Sequence, residues 1–553
     1  MPNQSDQTQH ETIGRVVDGS LTRGMEIKLE SSISIEDINN GTYVVIQGKH
    51  NRFVAMVTDL TLGTSDQNLK FNLPDMSDPL IREIVKGSLT YNSLSVRPGK
   101  VLPAVRGDHS DTTEARTIPE FFSPVFRASQ NDMESIFGKE DENNFFIGHP
   151  LDMDTKICVD PRQLIKRSCG VFGRSGTGKT FLARLLMIGV LQHTEAVSLI
   201  FDMHNEYGES GQDNDRGGAV SGLKTLFPGQ VSIFTLDENS SKLRKARYDE
   251  VVRIGYSDIE PEDIESLTQT LNLSDVAASI PFTLKTTLGD NWFKQLVETD
   301  GQEALNKLAS EVQVQPQAMR ALRNRLLRLT RFDFLDENPQ YNSLNRLLDK
   351  LKDGMHVVLE FGRHGNDLTA YILVANLLTR RLHNKYRELT EESDAERGTG
   401  PKPLVICIEE AHRFLAPGIA SQTIFGQIAR EDRKFNITLM VIDQRPSGID
   451  SEIMSQIATR ISCLLNDERD VDAVLSGSPN SRELKSVLSR LNAKQEALFF
   501  GDAIPMPILI RTRPYGDNEH YQDLTSPSWK TGGQNTDSDK DSRRDLDALF
   551  GNS

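Results

Sequence analysis

The chain has 553 residues, 37% hydrophobic and 26% charged, with a formal net charge of −16. That length gives room for roughly three domains with ample core, and no apolar run approaches the ~18 residues of a membrane span. The acidic balance argues against a protein that coats nucleic acid through overall positive charge, though not against a ring with a locally positive channel.

The first residues, Met1 to Gln7, have neither the basic start nor the apolar stretch of a secretory signal. Cys158, Cys169, Cys407 and Cys463 are scattered without a zinc spacing or a disulfide framework, so a reducing cytoplasm is the default setting. Residues 1–10 are polar and expected to be disordered. Short strand-like segments follow at 13–17, 25–29, 42–46, 52–57 and 94–96, with Asn40-Gly41 and Gly48 at turns. This meander predicts a small β-barrel over residues 11–135. The acidic stretch 138–144 reads as the linker out of it.

From Phe145 the pattern changes to α/β. Near-continuous β-branched runs at 198–201, 231–234, 356–361, 404–408 and 438–442 suit a parallel sheet buried on both faces. Between about 258 and 353 the strand signal gives way to leucines at helical spacing, which predicts a helical insertion. Arg320, Arg323, Arg325, Arg328 and Arg331 cluster within it. They form either a solvated helix face or a contact to DNA or a neighbouring subunit. Residues 388–403 read as an exposed loop. The α/β unit is expected over 136–515, and the acidic residues 516–553 as a largely disordered tail. The tail ends in Asp545-Leu546-Asp547-Ala548-Leu549-Phe550, which would either pack back on the chain or dock a partner.

Function radiates from Gly173-Arg174-Ser175-Gly176-Thr177-Gly178-Lys179-Thr180, the pattern Gly, four residues, Gly-Lys-Ser/Thr of a phosphate-binding loop. Glycines let successive backbone N–H groups wrap a phosphate without Cβ clashes. Gly173, Ser175, Gly176, Thr177 and Gly178 form this cradle. Lys179 would reach the β- and γ-phosphates of ATP, and the Thr180 hydroxyl would ligate Mg²⁺. The apolar run 169–172 before the loop and the helical run 181–188 after it provide the strand–loop–helix setting that the motif needs. The bland alternative is a Gly-rich turn before a core helix.

The strand at 404–408 runs into Glu409 and Glu410. Glu409 would hold the metal, and Glu410 would polarise the attacking water as general base. Helix-terminal dressing is the alternative reading. Gln444 follows another apolar strand and is placed to sense the γ-phosphate. Arg430 and Arg433 are candidates for an arginine supplied across a subunit boundary, against the alternative of surface ion pairs.

Taken together these motifs resemble the HerA branch of the HerA/FtsK family of hexameric DNA-pumping ATPases. The resemblance rests on 173–180, Asp-Met-His-Asn-Glu-Tyr-Gly (202–208), Glu-Glu-Ala-His-Arg-Phe (409–414), Ala-Arg-Glu-Asp-Arg-Lys (429–434) and Gln-Arg-Pro (444–446). Gly14-Arg15-Val16 and Phe146-Ile147-Gly148-His149-Pro150 resemble the family's barrel entry and exit. It covers nearly all of 11–515. It implies an α/β RecA-like P-loop core with an N-terminal HAS-type β-barrel and a helical insertion. It also implies a six-membered ring around double-stranded DNA and a partner nuclease or anti-phage effector. In the family's roles Lys179 and Thr180 bind nucleotide and metal, Glu410 is catalytic, Gln444 senses phosphate, and the arginine finger maps near Arg430–Arg433. One departure stands out: the first acid of the pair is usually Asp in the family and is Glu409 here. Other readings are a ring scaffold that regulates an effector enzyme, and a secretion or conjugation pump. The absence of a membrane segment and the barrel-like start count against the pump.

Overall fold

Tyr43-Val44-Val45-Ile46 is apolar at every position because both faces of that strand are covered. In the computed structural model, which describes residues 11–72, 74–85, 89–103, 112–213, 218–396, 400–421, 423–478, 481–527 and Trp529, the strand Tyr43–Gln47 lies in a six-stranded barrel. Val44 and Ile46 point into the barrel, with Val16, Ile27, Val57 and Leu94. Tyr43 and Val45 point outward and join the core of the α/β unit. The two-residue period of a strand thus divides one sequence run between two cores.

The barrel runs Gly24–Leu29, Gly14–Ser20, Pro124–Arg127, Tyr43–Gln47, Asn51–Thr64 and Thr90–Pro103, and pairing of Gly24–Leu29 with Thr90–Pro103 closes it. A seventh short strand, Thr113–Glu114, adds to the edge of Thr90–Pro103. Two of these strands, Pro124–Arg127 and Thr113–Glu114, were not legible as apolar alternation. The long pair 51–64 and 90–103 extends well past the segments expected for it, and carries a short helix, Pro79–Ile84, at its far end.

The helix Gln130–Phe137 spans the expected domain boundary at 135. Its start is secured by Ser129 and Asp132, whose side chains satisfy each other's backbone N–H groups. Its buried Met133, Ile136 and Phe137 belong to the α/β core, so the boundary falls before this helix. Asp132, buried at 3% exposure, also takes an ion pair from Arg52 of the barrel.

The α/β unit is built on one twelve-stranded sheet. Its parallel portion runs Glu250–Val251, Val231–Thr235, His356–Glu360, Val197–Asp202, Leu404–Glu409, Ile437–Asp443, Cys169–Phe172 and Thr459–Ser462. Four antiparallel strands, Glu496–Gly501, Ile508–Thr512, Phe145–Pro150 and Ile157–Val159, extend it. The phosphate loop leaves Cys169–Phe172 and feeds the helix Lys179–His193, whose face is buried nearly all round. This is a RecA-like P-loop core: one strand, Ile437–Asp443, separates the loop's strand from the strand bearing Glu409.

The insertion is helical, from Pro261–Glu265 through Ser343–Lys352, around Trp292, Phe293, Leu296, Leu322 and Leu326. One two-residue pairing, Ile254–Gly255 with Leu335–Asp336, interrupts it. The arginine cluster is not one solvated face. Arg323 turns inward and donates to the Val297 carbonyl at 3.2 Å, whereas Arg328 and Arg331 are exposed.

Two expected irregular stretches are helical. Leu368–Glu396 is one helix of 29 residues, so 388–396 is not a loop. Its Glu and Arg residues are good helix formers and pair as Lys385–Glu388 and Arg387–Glu391. Beyond 516 the chain forms Asn518–Thr525, capped by Asp517 and docked where Gln192 donates to the Leu524 carbonyl at 2.7 Å. Residues 1–10 and the segment Asp545–Phe550 lie outside the described residues.

The Arg52–Asp132 pair ties barrel to core with little water around it, so Asp132→Ala strands a buried guanidinium and uncaps a helix. The expected loss is about 3–5 kcal/mol of stability, read as a lowered urea midpoint.

Candidate nucleotide site

The loop conformation follows from its glycines. Gly176 and Gly178 have φ of +78° and +89°, in the left-handed region that side-chain-bearing residues avoid. A Cβ at either position would meet nothing within 4 Å, so glycine serves backbone shape there rather than space. The Thr177 hydroxyl donates back to the Arg174 carbonyl at 2.8 Å and closes the turn. Lys179 Nζ donates to the same carbonyl at 2.9 Å, leaving ammonium donors for a phosphate. Burial pushes the Lys179 pKa down, while Cys463, Glu410, Glu409 and Asp443 act to raise it. The loop is anchored by Arg174 N–H to the Leu464 carbonyl at 2.9 Å and by Gly173 N–H to the Asp443 carbonyl at 3.2 Å.

Ser175 through Thr180 line a cavity of about 490 Å³, and Glu409, Glu410 and Gln444 line the same cavity. Gly173 is not among the residues that line it, and a Cβ there would come within 2.7 Å of Cys463. The second carboxylate reaches the cavity through an unusual backbone: the strand ends at Glu409, and Glu410 has φ of +49°. Successive strand residues face opposite ways, and this left-handed turn brings Glu410 back beside Glu409. Glu410 then accepts a hydrogen bond from Gln444 Nε2 at 2.7 Å.

Because the central strands are parallel, their last residues share one edge of the sheet. Four neighbouring strands end there in carboxylates: Glu360, Asp202, Glu409 and Asp443. All four are buried, and each is satisfied differently. Glu360 pairs with Arg244 at 2.6 Å. Asp202 accepts the backbone N–H groups of Glu206 and Tyr207, both at 2.8 Å. Asp443 accepts from the backbone N–H groups of His412 and Arg445, both at 2.6 Å, and lies 3.0 Å from the His412 ring.

Glu409 is the least provided for. Its Oε1 takes the Tyr207 hydroxyl at 3.2 Å, and its Oε2 is buried without a partner among the described residues. Burial, with the charges of Asp202 and Glu206 adding to it, pushes its pKa up to about 8. Burial beside Glu360 likewise raises Asp202 to about 7. The Asp443 carboxylate raises the pKa of His412 above the ordinary imidazole value.

An orphaned carboxylate oxygen in the same cavity as Thr180 fits a bound Mg²⁺. Among the described residues no group of three or more His, Cys, Asp or Glu side chains is disposed as a preformed metal cage.

The comparisons with known proteins agree with this geometry. Residues 145–382 match the family described as the central domain of helicase HerA. The part of the chain that carries the phosphate loop is thus similar to the central domain of HerA helicases. The DNA double-strand break repair helicase HerA of Saccharolobus solfataricus is 24% identical over 509 residues, covering 90% of this chain and 91% of that one. Its counterpart from Pyrococcus furiosus is 24% identical over 418 residues, 70% of this chain and 72% of the relative. Among solved structures, VirB4 of Thermoanaerobacter pseudethanolicus aligns with a TM-score of 0.44 at 14% identity, over 69% of this chain and 99% of that one.

Arg430 is not among the residues that line the cavity. It sits on the helix Ile424–Glu431 with Nε 3.6 Å from Glu452. The Arg433 side chain lies outside what the structure describes. Sequence reasoning missed the roles of Asp443, His412 and Tyr207, although the first immediately precedes Gln444 and the other two stand inside motifs already singled out. It also missed Arg184, Arg513 and Tyr515, which line the far end of the cavity.

The raised carboxylates set a pH dependence. The Glu409 pKa rises from 4.5 in the unfolded chain to about 8 when folded. Between those values the native state holds a proton that the unfolded chain has released, so stability falls as pH rises through that window. The urea midpoint of the nucleotide-free protein should therefore drop from about pH 5 to about pH 8, and Glu409→Gln should flatten that slope. An unchanged slope in the variant would show that Glu409 ionises normally.

Proposed function

We propose that this chain is a HerA-type, Mg²⁺-dependent ATPase motor that works as a homo-hexameric ring on double-stranded DNA. The observation that carries this reading is the convergence of Lys179, Thr180, Glu409, Glu410 and Gln444 on one cavity, in a chain whose relatives are named as DNA repair helicases.

The loop N–H groups and Lys179 bind and orient the phosphates. Thr180 and Glu409 would hold Mg²⁺, which neutralises charge on the phosphoryl oxygens. Glu410 accepts a proton from the attacking water. Gln444, already bonded to Glu410, fixes that carboxylate and would sense the γ-phosphate. Arg430 or Arg433 of one subunit would serve the cavity of the next, stabilising charge on the phosphoryl group. The outward position of Arg430 suits such service across a boundary. A partner nuclease or defence effector would act on the DNA that the ring feeds to it, and the intracellular space is the setting we assign.

Lys179→Ala should lose ATP binding, because the phosphates lose their cation. Glu410→Gln should bind ATP and hydrolyse it about 10²–10⁴ times more slowly. Duplex DNA should accelerate hydrolysis by the parental protein. Hydrolysis indifferent to DNA would favour a ring that organises an effector without translocating.

Substituting Arg430 or Arg433 with Ala tests the shared site. One of these variants should assemble as the parental protein does yet hydrolyse poorly, and should depress turnover when mixed into parental rings. A monomer in light scattering with full ATPase activity would exclude the ring.

A further inference from the structure

The arginine segment of the helical insertion plays no part in the nucleotide cavity. From Val312 to Phe332 the chain carries five arginines and no Asp or Glu, in a protein whose formal net charge is −16. Met319, Leu322, Leu326 and Leu329 of this stretch are buried. Their spacing of three and four residues turns one stripe of the helix Pro316–Leu326 toward the core.

Arg323 is used internally: it donates to the Val297 carbonyl at 3.2 Å and stands 3.8 Å from Asp300. The other four arginines differ. The side chains of Arg320, Arg325, Arg328 and Arg331 make no ion pair and no hydrogen bond among the described residues. Arg328 and Arg331 are exposed, and Arg320 and Arg325 are half-buried. Cations in the last turn of a helix complement its dipole, which accounts for Arg325. It does not account for Arg328 and Arg331, which lie past the end of that helix. Like charges gathered without acidic neighbours repel one another, and a polyanion relieves that repulsion.

The same stretch exposes no large hydrophobic side chain. The centre of a protein–protein interface is anchored by aromatic or aliphatic side chains seated in pockets. A contact to nucleic-acid phosphates needs only cations, and the planar guanidinium matches phosphate oxygens two at a time. The composition of this face therefore favours a nucleic acid over a neighbouring subunit.

The segment is fastened to the sheet edge that carries the four buried carboxylates. The rings of Phe332 and Phe334 stack with centroids 5.1 Å apart and planes 9° from parallel. Both meet the His364 ring edge-on, at 5.9 and 5.1 Å. His364 belongs to the turn Gly362–Asn366, which follows the strand ending in Glu360. Arg363 of the same turn pairs with Asp333.

We infer that Arg328 and Arg331, with Arg320 and Arg325 beside them, form a contact surface for the phosphate backbone of double-stranded DNA. The inference rests on the reading of the chain as a motor on DNA and adds a surface through which each subunit holds it. Contacts of this kind read charge and not base pattern, so they hold DNA of any sequence and weaken with salt.

The test measures binding of a mixed-sequence DNA duplex to the full chain by fluorescence anisotropy over a range of salt concentrations. Arg328→Gln and Arg331→Gln should each weaken binding about tenfold at low salt. Each should also lower the slope of log K against log salt by about one. Arg328→Lys and Arg331→Lys keep the charge and should retain the parental slope. All four variants should match the parental protein in light scattering and in ATP turnover without DNA. Gln variants with parental affinity and slope, or Lys variants that lose as much slope as the Gln variants, would overturn the surface. Acceleration of parental hydrolysis by DNA would then still support the motor. Variants that dissociate in light scattering would assign the segment to a subunit contact instead. A parental protein that binds no duplex would overturn the motor and the surface together.

Discussion

Four carboxylates buried side by side at one edge of a sheet are the constraint around which this molecule is arranged. Parallel strands deliver them there by topology, since every strand of the set ends at the same edge. Like charges so close cannot all ionise at low energetic cost. The structure resolves three of them locally, with Arg244 at Glu360, backbone N–H groups at Asp202, and His412 with two backbone N–H groups at Asp443. Glu409 is left with one tyrosine hydroxyl and a raised pKa. A divalent cation is the partner that such a group lacks, and its arrival would convert an uncomfortable proton store into a ligand.

The strand Ile437–Asp443 has a second consequence. It lies between the strand that launches the phosphate loop and the strand that carries Glu409. Its last residue accepts Gly173 N–H through the main chain and holds His412 through the side chain. The next residue, Gln444, holds Glu410. The phosphate loop and Glu410 are thus tied to one strand end of two residues.

Local sequence carried the parts of the site that local geometry builds. A loop whose function needs left-handed glycines, or a strand that ends in paired acids, leaves its pattern in consecutive residues. The barrel's apolar alternation was legible for the same reason, as were the continuous runs of the parallel sheet. Pro124–Arg127 was not, because four residues with one buried position, Val125, carry no usable period. The stretch 388–396 was misread since Glu-rich composition suits both exposed loops and exposed helices, and only the continuity of Leu368–Glu396 decides. One wall of the cavity is assembled from residues 181–184 and 513–515, whose proximity is a property of the fold. A single signal was available: an arginine within the apolar run 181–188 had to be either paired or functional.

Barrel and motor share more than a linker. Tyr43 and Val45 of a barrel strand sit in the motor's core, and the Tyr43 hydroxyl donates to the Pro507 carbonyl. Arg97 pairs with Glu483 at 2.6 Å, and Ser486 donates to the Thr58 carbonyl at 2.9 Å. Apolar packing of this kind is close to all-or-none, since separating the surfaces exposes side chains that contribute about 1.5–3 kcal/mol each. Separating barrel from α/β unit would therefore expose Tyr43 and Val45 as well as break these polar contacts. The helix Asn518–Thr525 is docked more lightly: Leu524 is its buried residue, and it is tied to the cavity wall through Tyr521, Ser221 and Tyr515.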